Sequence, residues 1–442
     1  MKRLNPGERA ELKDIFKDLL RMDTSNPPGN ETVAAQYISS LLVGQGMEPR
    51  LIESEPGRGS VVAEINGLGK RSLTFLGHLD VVPPGPLEAW ESPPFSATER
   101  GDCIFGRGAA DMKSLVAGQV FALLKLKREG FLPRGKIILA ETADEENGGK
   151  KGIGHIVNTT PEIVRADYCV TEGGGLIING KGGRIIGYET AEKGILWLRI
   201  TFEGKGGHAS VPYQHENAVL KIAEAVKAVG QAQGKFKLTD EALQHLAALV
   251  RAYHLDYTVD ESSFESVLEK VREVDRTNWP KIKAEAAITA TPTMLSAGIR
   301  PNVIPASAQA TIDCRLPPGT DPEEAMTWLR GLLGDEGIRL EVINQSPGSR
   351  SELDREFEEA VIQSLTEASG ADGAFRYMLP AGTDSRYMRS IGTKALGVEV
   401  YSRNADFDLI DSRVHAPNEF IDFESVVGAA EFHLNLAEVY LG

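Results

Sequence analysis

Between residues 61 and 172, short apolar runs rich in β-branched residues alternate with a helical pattern. VVAEI (61–65) and SLTFLG (72–77) precede the helix-spaced SLVAGQVFALLKLKREG (114–130), and KIILAET (136–142) and DYCVTE (167–172) follow. Strands joined through helices need crossover connections, which give a mostly parallel sheet with both faces covered. The class expected is therefore α/β. Ligands of such sheets bind beyond the carboxyl ends of the strands, and three of these runs stop at ionisable residues. His78 and Asp80 follow the first, Asp144, Glu145 and Glu146 the second, and Glu172 closes the third.

From about residue 188 the texture changes. LWLRITFEG (196–204) reads as a strand, ENAVLKIAEAVKAV (216–229) as a helix, AITATPTMLSAG (287–298) and AQATIDCRL (308–316) as strands, PEEAMTWLRGLL (322–333) as a helix and IRLEVIN (338–344) as a strand. The order β-α-β-β-α-β is ferredoxin-like, interrupted by a polar, helix-prone insertion at about 234–286. The expected organisation is a discontinuous catalytic domain, 1–187 and 348–442, around an inserted ferredoxin-like α+β lid or dimerisation domain, 188–347.

A formal net charge of −15 argues against nucleic acid or an anionic membrane as partner. No stretch approaches the ~20 apolar residues of a membrane span, and the N-terminus reads as free of an export signal. Three widely spaced cysteines, Cys103, Cys169 and Cys314, provide neither a disulfide framework nor a cysteine zinc site. A cytoplasmic setting and a small-molecule or peptide partner are expected.

With a side-chain period of two, His78 and Asp80 in GHLDVVP point the same way. A metal-ligating imidazole usually hands its second ring proton to a carboxylate, although a lone H-x-D is more often a hydrogen-bonded strand end. Asp111 in GRGAADMK stands just ahead of a helix, where capping is the plain reading. The adjacent acids of ETADEENGG repel one another, and either a cation, a shared proton or plain solvation relieves them. Glu172 precedes three glycines, and His415 lies in the loop DSRVHAPNEF. Their coincidence at one sheet edge favours a metal site over so many separate bland readings.

The ordered set GHLDVVP, GRGAADMK, DEENGG, TEGG and VHAPNE resembles the dizinc metallopeptidase and aminoacylase family. That family includes acetylornithine deacetylase, succinyl-diaminopimelate desuccinylase, glutamate carboxypeptidase and carboxypeptidase S, and the long insertion with TPTMLSAGIRPNVIPASAQATIDCRLPPG is most similar to the carboxypeptidase S and aminoacylase branch. The resemblance implies two Zn2+ per chain, with Co2+ or Mn2+ able to substitute. His78 and Glu172 would hold one, Glu146 and His415 the other, and Asp111 would bridge both. Asp80 would orient His78, and Glu145 would be the general base for a zinc-bridged hydroxide attacking an amide.

In the second domain, the family role of His208 in GKGGHAS is to stabilise the oxyanion, often in a partner subunit, so a homodimer is expected. Asn302 and Arg315 would grip the substrate's free carboxylate, the plainer reading of Arg315 being an ion pair with Asp313. Gly382 and Thr383 of GTDSR would line the same pocket. His155, His215, His245, His254 and His433 read as lacking acidic partners and receive no role. The function implied is hydrolysis of the amide bond of an N-acyl amino acid or short peptide. The alternatives are a di- or carboxypeptidase proper, an inactive metabolite-binding homologue, or an interaction protein docking through the helical insertion.

Overall fold

Every apolar run named above forms its element in the computed structural model, which describes residues 2–442 apart from 233, 335 and 336. Gly59–Asn66, Arg71–His78, Gly135–Thr142 and Tyr168–Thr171 join one ten-stranded sheet, with Lys394–Gly397 and Gly183–Glu192 beyond them. The centre is parallel as expected: Arg71–His78 pairs in parallel with strands on both sides, and Lys394–Gly397 runs parallel to Tyr168–Thr171. The sheet as a whole is mixed. Ile177–Gly180 and Gly183–Glu192 are joined by a tight hairpin, and so short a link permits only antiparallel pairing. Arg50–Glu53 and Gly59–Asn66 pair antiparallel for the same reason.

Helices Lys113–Arg128 and Phe423–Leu441 pack on each other in the large core over this sheet. Their approach is close: a Cβ at Gly118 would stand 2.9 Å from the Ala430 amide nitrogen. Helix Pro6–Arg21 is set by a reciprocal cap, with Asn5 accepting from the Glu8 N–H and Glu8 from the Asn5 N–H.

The chain leaves the main sheet at Glu192 and enters a second sheet at Gly194, so the passage falls at Lys193, beyond the expected boundary at 187. The second sheet is antiparallel, in the order Lys235–Phe236, Ala287–Ala297, Ser307–Leu316, Gly194–Glu203, Ile338–Ser346. Helices Ala218–Gln231 and Pro322–Leu333 cover one face around a core of their own. The return is at Ser349–Arg350, which pairs with the end of Gly183–Glu192.

The insertion folds as three helices, Asp240–Ala252, Phe264–Val271 and Asn278–Glu285. Their apolar faces pack against Leu176, Ile178, Phe375 and Tyr377 of the main sheet. Among the described residues no helix is long and apolar enough to cross a membrane.

Candidate metal centre

Strand ends and loops converge at one edge of the main sheet. Arg71–His78 delivers His78, and Gly77 before it admits the neighbouring strand, since a Cβ there would lie 2.2 Å from Glu141 Oε2. After Gly135–Thr142, Asp144 adopts a left-handed backbone (φ 74°), which aspartate tolerates better than most residues. The reversal turns Glu145 and Glu146 toward His78. Glu172 follows Tyr168–Thr171, Asp111 precedes Lys113–Arg128, and His415 sits in its loop at φ 63°.

The two histidines meet opposite sides of one carboxylate. His78 Nε2 is 3.0 Å from Asp111 Oδ1 and 3.5 Å from Glu172 Oε2. His415 Nε2 is 3.0 Å from Asp111 Oδ2 and 3.2 Å from the Glu146 carboxylate. Asp80 lies behind: His78 Nδ1 is 3.0 Å from its backbone oxygen and 3.5 Å from its carboxylate. The same carboxylate accepts the backbone N–H groups of Glu145 and Glu146, each at 3.1 Å.

Charge is concentrated here out of water. Burial opposes a charge on His78, yet Glu172, Asp111 and Asp80 together raise its pKa well above the usual value. Hydrogen bonding to Asp111 and Glu146 pushes His415 up to about 10. Burial pushes Glu172 up to about 8 against the pull of His78, and burial with the Glu172 carboxylate holds Glu145 well above the ordinary carboxylate range. Asp111 goes the other way, burial being outweighed by its hydrogen bonds to His415 and His78. Such a cluster is stabilised by positive charge from protons or from cations.

The donors fit cations. His78, Asp111 and Glu146 present ligand atoms within 4.8 Å of one another, and so do His78, Glu145 and Glu172. Nitrogen and oxygen donors without thiolate suit zinc and similar divalent ions and leave them Lewis-acidic.

Sequence reasoning missed the supports of this centre. Arg58 Nη2 donates to Glu31 at 2.6 Å and to Asp144 at 2.9 Å, and Asn26 Nδ2 donates to Asp80 at 2.8 Å. Buried Glu419 binds Arg107 and accepts N–H bonds from Gly108, Ala110 and Asp111, while Arg107 also donates to the His415 carbonyl at 3.1 Å. Glu419 was within the quoted VHAPNE, four residues after His415; nothing in the local spacing pointed to Arg58 or Glu31.

The remaining expected residues lie in three other places. His208 and Asn302 are neighbours, because Gly207–His208 pairs with Val303–Ile304 and the Ala209 N–H donates to the Asn302 carbonyl at 3.1 Å. Among the described residues neither makes a hydrogen bond or ion pair to the acid cluster. Arg315 is held by Asp313, through Nε at 2.9 Å and Nη2 at 3.1 Å, the plainer of the two sequence readings. Thr383 gives both its N–H and its hydroxyl to Glu192, each at 2.6 Å, with Gly382 beside it. One reading is corrected: His245 does have an acidic partner, Glu285, 2.8 Å from its Nδ1. The two are forty residues apart on different helices of the insertion, beyond the reach of helical spacing.

A parallel-centred sheet whose strand ends and loops gather side chains able to hold cations is a framework suited to a metal-dependent amidohydrolase. The chain belongs to Peptidase family M20/M25/M40, whose sequence profile matches residues 74–439. It is 27% identical over 451 residues to "N-fatty-acyl-amino acid synthase/hydrolase PM20D1" of Xenopus tropicalis, covering 98% of this chain and 86% of that protein. It is 26% identical over 329 residues to "Probable succinyl-diaminopimelate desuccinylase" of Staphylococcus aureus (strain MSSA476), covering 74% of this chain and 73% of that one. The fold matches the M20 family metallo-carboxypeptidase Sso-CP2 from Sulfolobus solfataricus with a TM-score of 0.73 at 21% identity, over 99% of each chain. It also matches the YXEP protein of Bacillus subtilis, described as a dinuclear metal binding peptidase, with a TM-score of 0.62 at 12% identity over 99% of each.

Proposed function

We propose that the protein hydrolyses the amide bond of an N-acyl amino acid or short peptide bearing a free carboxylate, with two zinc ions and Glu145 as general base. The observation that carries this is the shared carboxylate: each oxygen of Asp111 faces a different histidine, with Glu172 on one side and Glu146 on the other. That arrangement suits two cations sharing one ligand, held by His78 and Glu172 and by Glu146 and His415. Bound there, the ions would polarise the amide carbonyl and make water a better nucleophile.

The chain's own residues do the rest. Asp80 fixes the direction of His78 and of the Glu145–Glu146 backbone at once. Glu145, whose carboxyl is held above the ordinary range by burial, takes a proton from water and returns it to the leaving nitrogen. His208 accepts at Nδ1 from the Ser210 N–H at 3.2 Å, which leaves Nε2–H free to donate to an oxyanion once the second sheet, or a partner subunit in a homodimer, brings it over the site. Asn302 and Arg315 hold the substrate carboxylate on that same side, and Gly382 and Thr383 border the pocket. The names of the relatives, a fatty-acyl amino acid hydrolase and a desuccinylase, support an N-acyl amino acid as substrate. The three free cysteines fit a reducing, cytoplasmic setting.

The test is a panel of N-acetyl, N-succinyl and long-chain N-acyl amino acids and dipeptides with enzyme shown by elemental analysis to hold two zinc ions per chain. Hydrolysis of at least one class is expected; a fully loaded enzyme inert to all four would overturn the reading.

A further inference from the structure

The insertion reaches the metal centre. Asp240–Ala252 lies against the main-sheet strand Gly373–Leu379, and Asn278–Glu285 brings its last residue into the wall of a cavity of about 300 Å3. Asp111 and Glu172 line the same cavity, so it adjoins the proposed cation ligands. Leu176, Leu379, Phe407 and Val414 make much of the remaining wall apolar. At ~30 Å3 per water the space holds roughly ten waters, room enough for a short acyl chain.

Glu285 is the anomaly in that wall. It is 1% exposed, and while Oε1 is bound to His245 Nδ1, Oε2 has no hydrogen-bond partner among the described residues. A buried acceptor left unpaired is costly, and a ligand that brings a donor removes the cost. Partly buried Glu399, in the same wall, is already satisfied by the Gly173 N–H and the Tyr401 hydroxyl. Lys281, one turn before Glu285, is a third exposed and stands 4.0 Å from Asp411, with no ion pair to Glu285.

We propose that this cavity receives the acyl side of the substrate and that Glu285 selects acyl groups ending in a hydrogen-bond donor, amino or hydroxyl, over plain alkanoyl groups. The inference rests on the hydrolase reading above and narrows its substrate class. The experiment uses the zinc-loaded enzyme and one amino acid carrying acyl chains from butanoyl to octanoyl, each ending in methyl, hydroxyl or amino, with the N-acetyl derivative as reference. At one or more lengths a donor-ended chain should exceed its methyl-ended counterpart in kcat/KM by about tenfold or more, because an apolar wall alone discriminates weakly between such isosteres.

Calorimetric binding of the matching free acids to the Glu145→Gln protein should follow the same order. Glu285→Met should level the series, donor-ended chains falling to the kcat/KM of their methyl-ended counterparts. Equal or better use of methyl-ended chains at every length overturns the inference and leaves the hydrolase reading standing, as does a donor preference that survives in Glu285→Met. No hydrolysis of any derivative overturns this inference; the hydrolase reading falls with it only if the loaded enzyme is also inert to the N-succinyl, long-chain N-acyl and dipeptide substrates of the panel above. Where Glu285→Met does not fold, the wild-type comparison decides alone.

Discussion

Replacing Glu419 by glutamine tests whether one buried carboxylate clamps two ligand loops together. Glu419 is fully buried, and its oxygens take four donors: the Arg107 guanidinium and the Gly108 N–H on Oε2, and the Ala110 and Asp111 N–H groups, at 2.9 and 3.2 Å, on Oε1. Glutamine keeps the shape but removes the charge opposite buried Arg107 and points an NH2 group at donors on one side. Breaking a buried ion pair in this way costs about 3 to 5 kcal/mol, here with two further hydrogen bonds turned repulsive. Because Asp111 and the His415 carbonyl belong to the same clamp, affinity for zinc should also fall, by about 10- to 100-fold as for other outer supports of metal ligands. The assay is a denaturant midpoint at unchanged slope, with a competitive chelator titration for the metal. Exposed Glu424→Gln is the control, expected within about 0.5 kcal/mol of wild type. A loss below about 1 kcal/mol with unaltered zinc affinity would refute the clamp.

Glu145→Gln should keep two zinc ions per chain by elemental analysis and lose several orders of magnitude in kcat; loss of a metal would mean that Glu145 is a ligand instead. Arg315→Ala should abolish discrimination between substrates with free and amidated carboxylates while shifting stability by only about 0.2 to 1 kcal/mol, since its partner Asp313 is partly exposed; equal KM for both forms in the wild type removes the assignment. Burial pushes His433 down to about 4 from 6.5, against the bond to the Ala429 carbonyl. Between those values the unfolded chain binds the extra proton, so stability should fall by about 3 kcal/mol as pH drops from 6.5 to 4. His433→Leu should flatten that window of the denaturation profile, and an unchanged pH slope would exclude His433 as its source.

The candidate site was legible where His78, Glu145, Glu146 and Glu172 follow strands that announce themselves, whereas Asp111 stands before a helix and His415 in a loop. SLTFLG, KIILAET and DYCVTE are apolar enough to mark strands, and the residue after each apolar run must face whatever lies beyond the sheet edge. Glu145 and Glu146 could not be told apart by spacing, since adjacent residues differ only in direction, and direction here is set by the left-handed turn at Asp144 and the grip of Asp80. The antiparallel flanks were hidden because strands such as Gly183–Glu192 carry glycine, arginine and glutamate in place of an unbroken apolar run. Arg58 and Glu31 are ordinary surface residue types by composition, and only tertiary contact places them inside. The insertion looked like a free polar surface because its apolar residues are spread over three helices; each stripe makes sense only against Leu176, Ile178, Phe375 and Tyr377, all distant in sequence.

The insertion begins and ends in the second sheet, at Lys235–Phe236 and Ala287–Ala297, yet its helices sit on the first. The backbone crosses between the sheets twice, beside Lys193 and beside Ser349, and two crossings side by side behave as the pin of a door. The three helices act as a stay, resting on the main sheet and tied back to the crossings themselves by Arg350 to Glu241 and by Lys193 Nζ to the carbonyls of Ala284 and Ala287. A door with a stay swings only as far as the stay lets it.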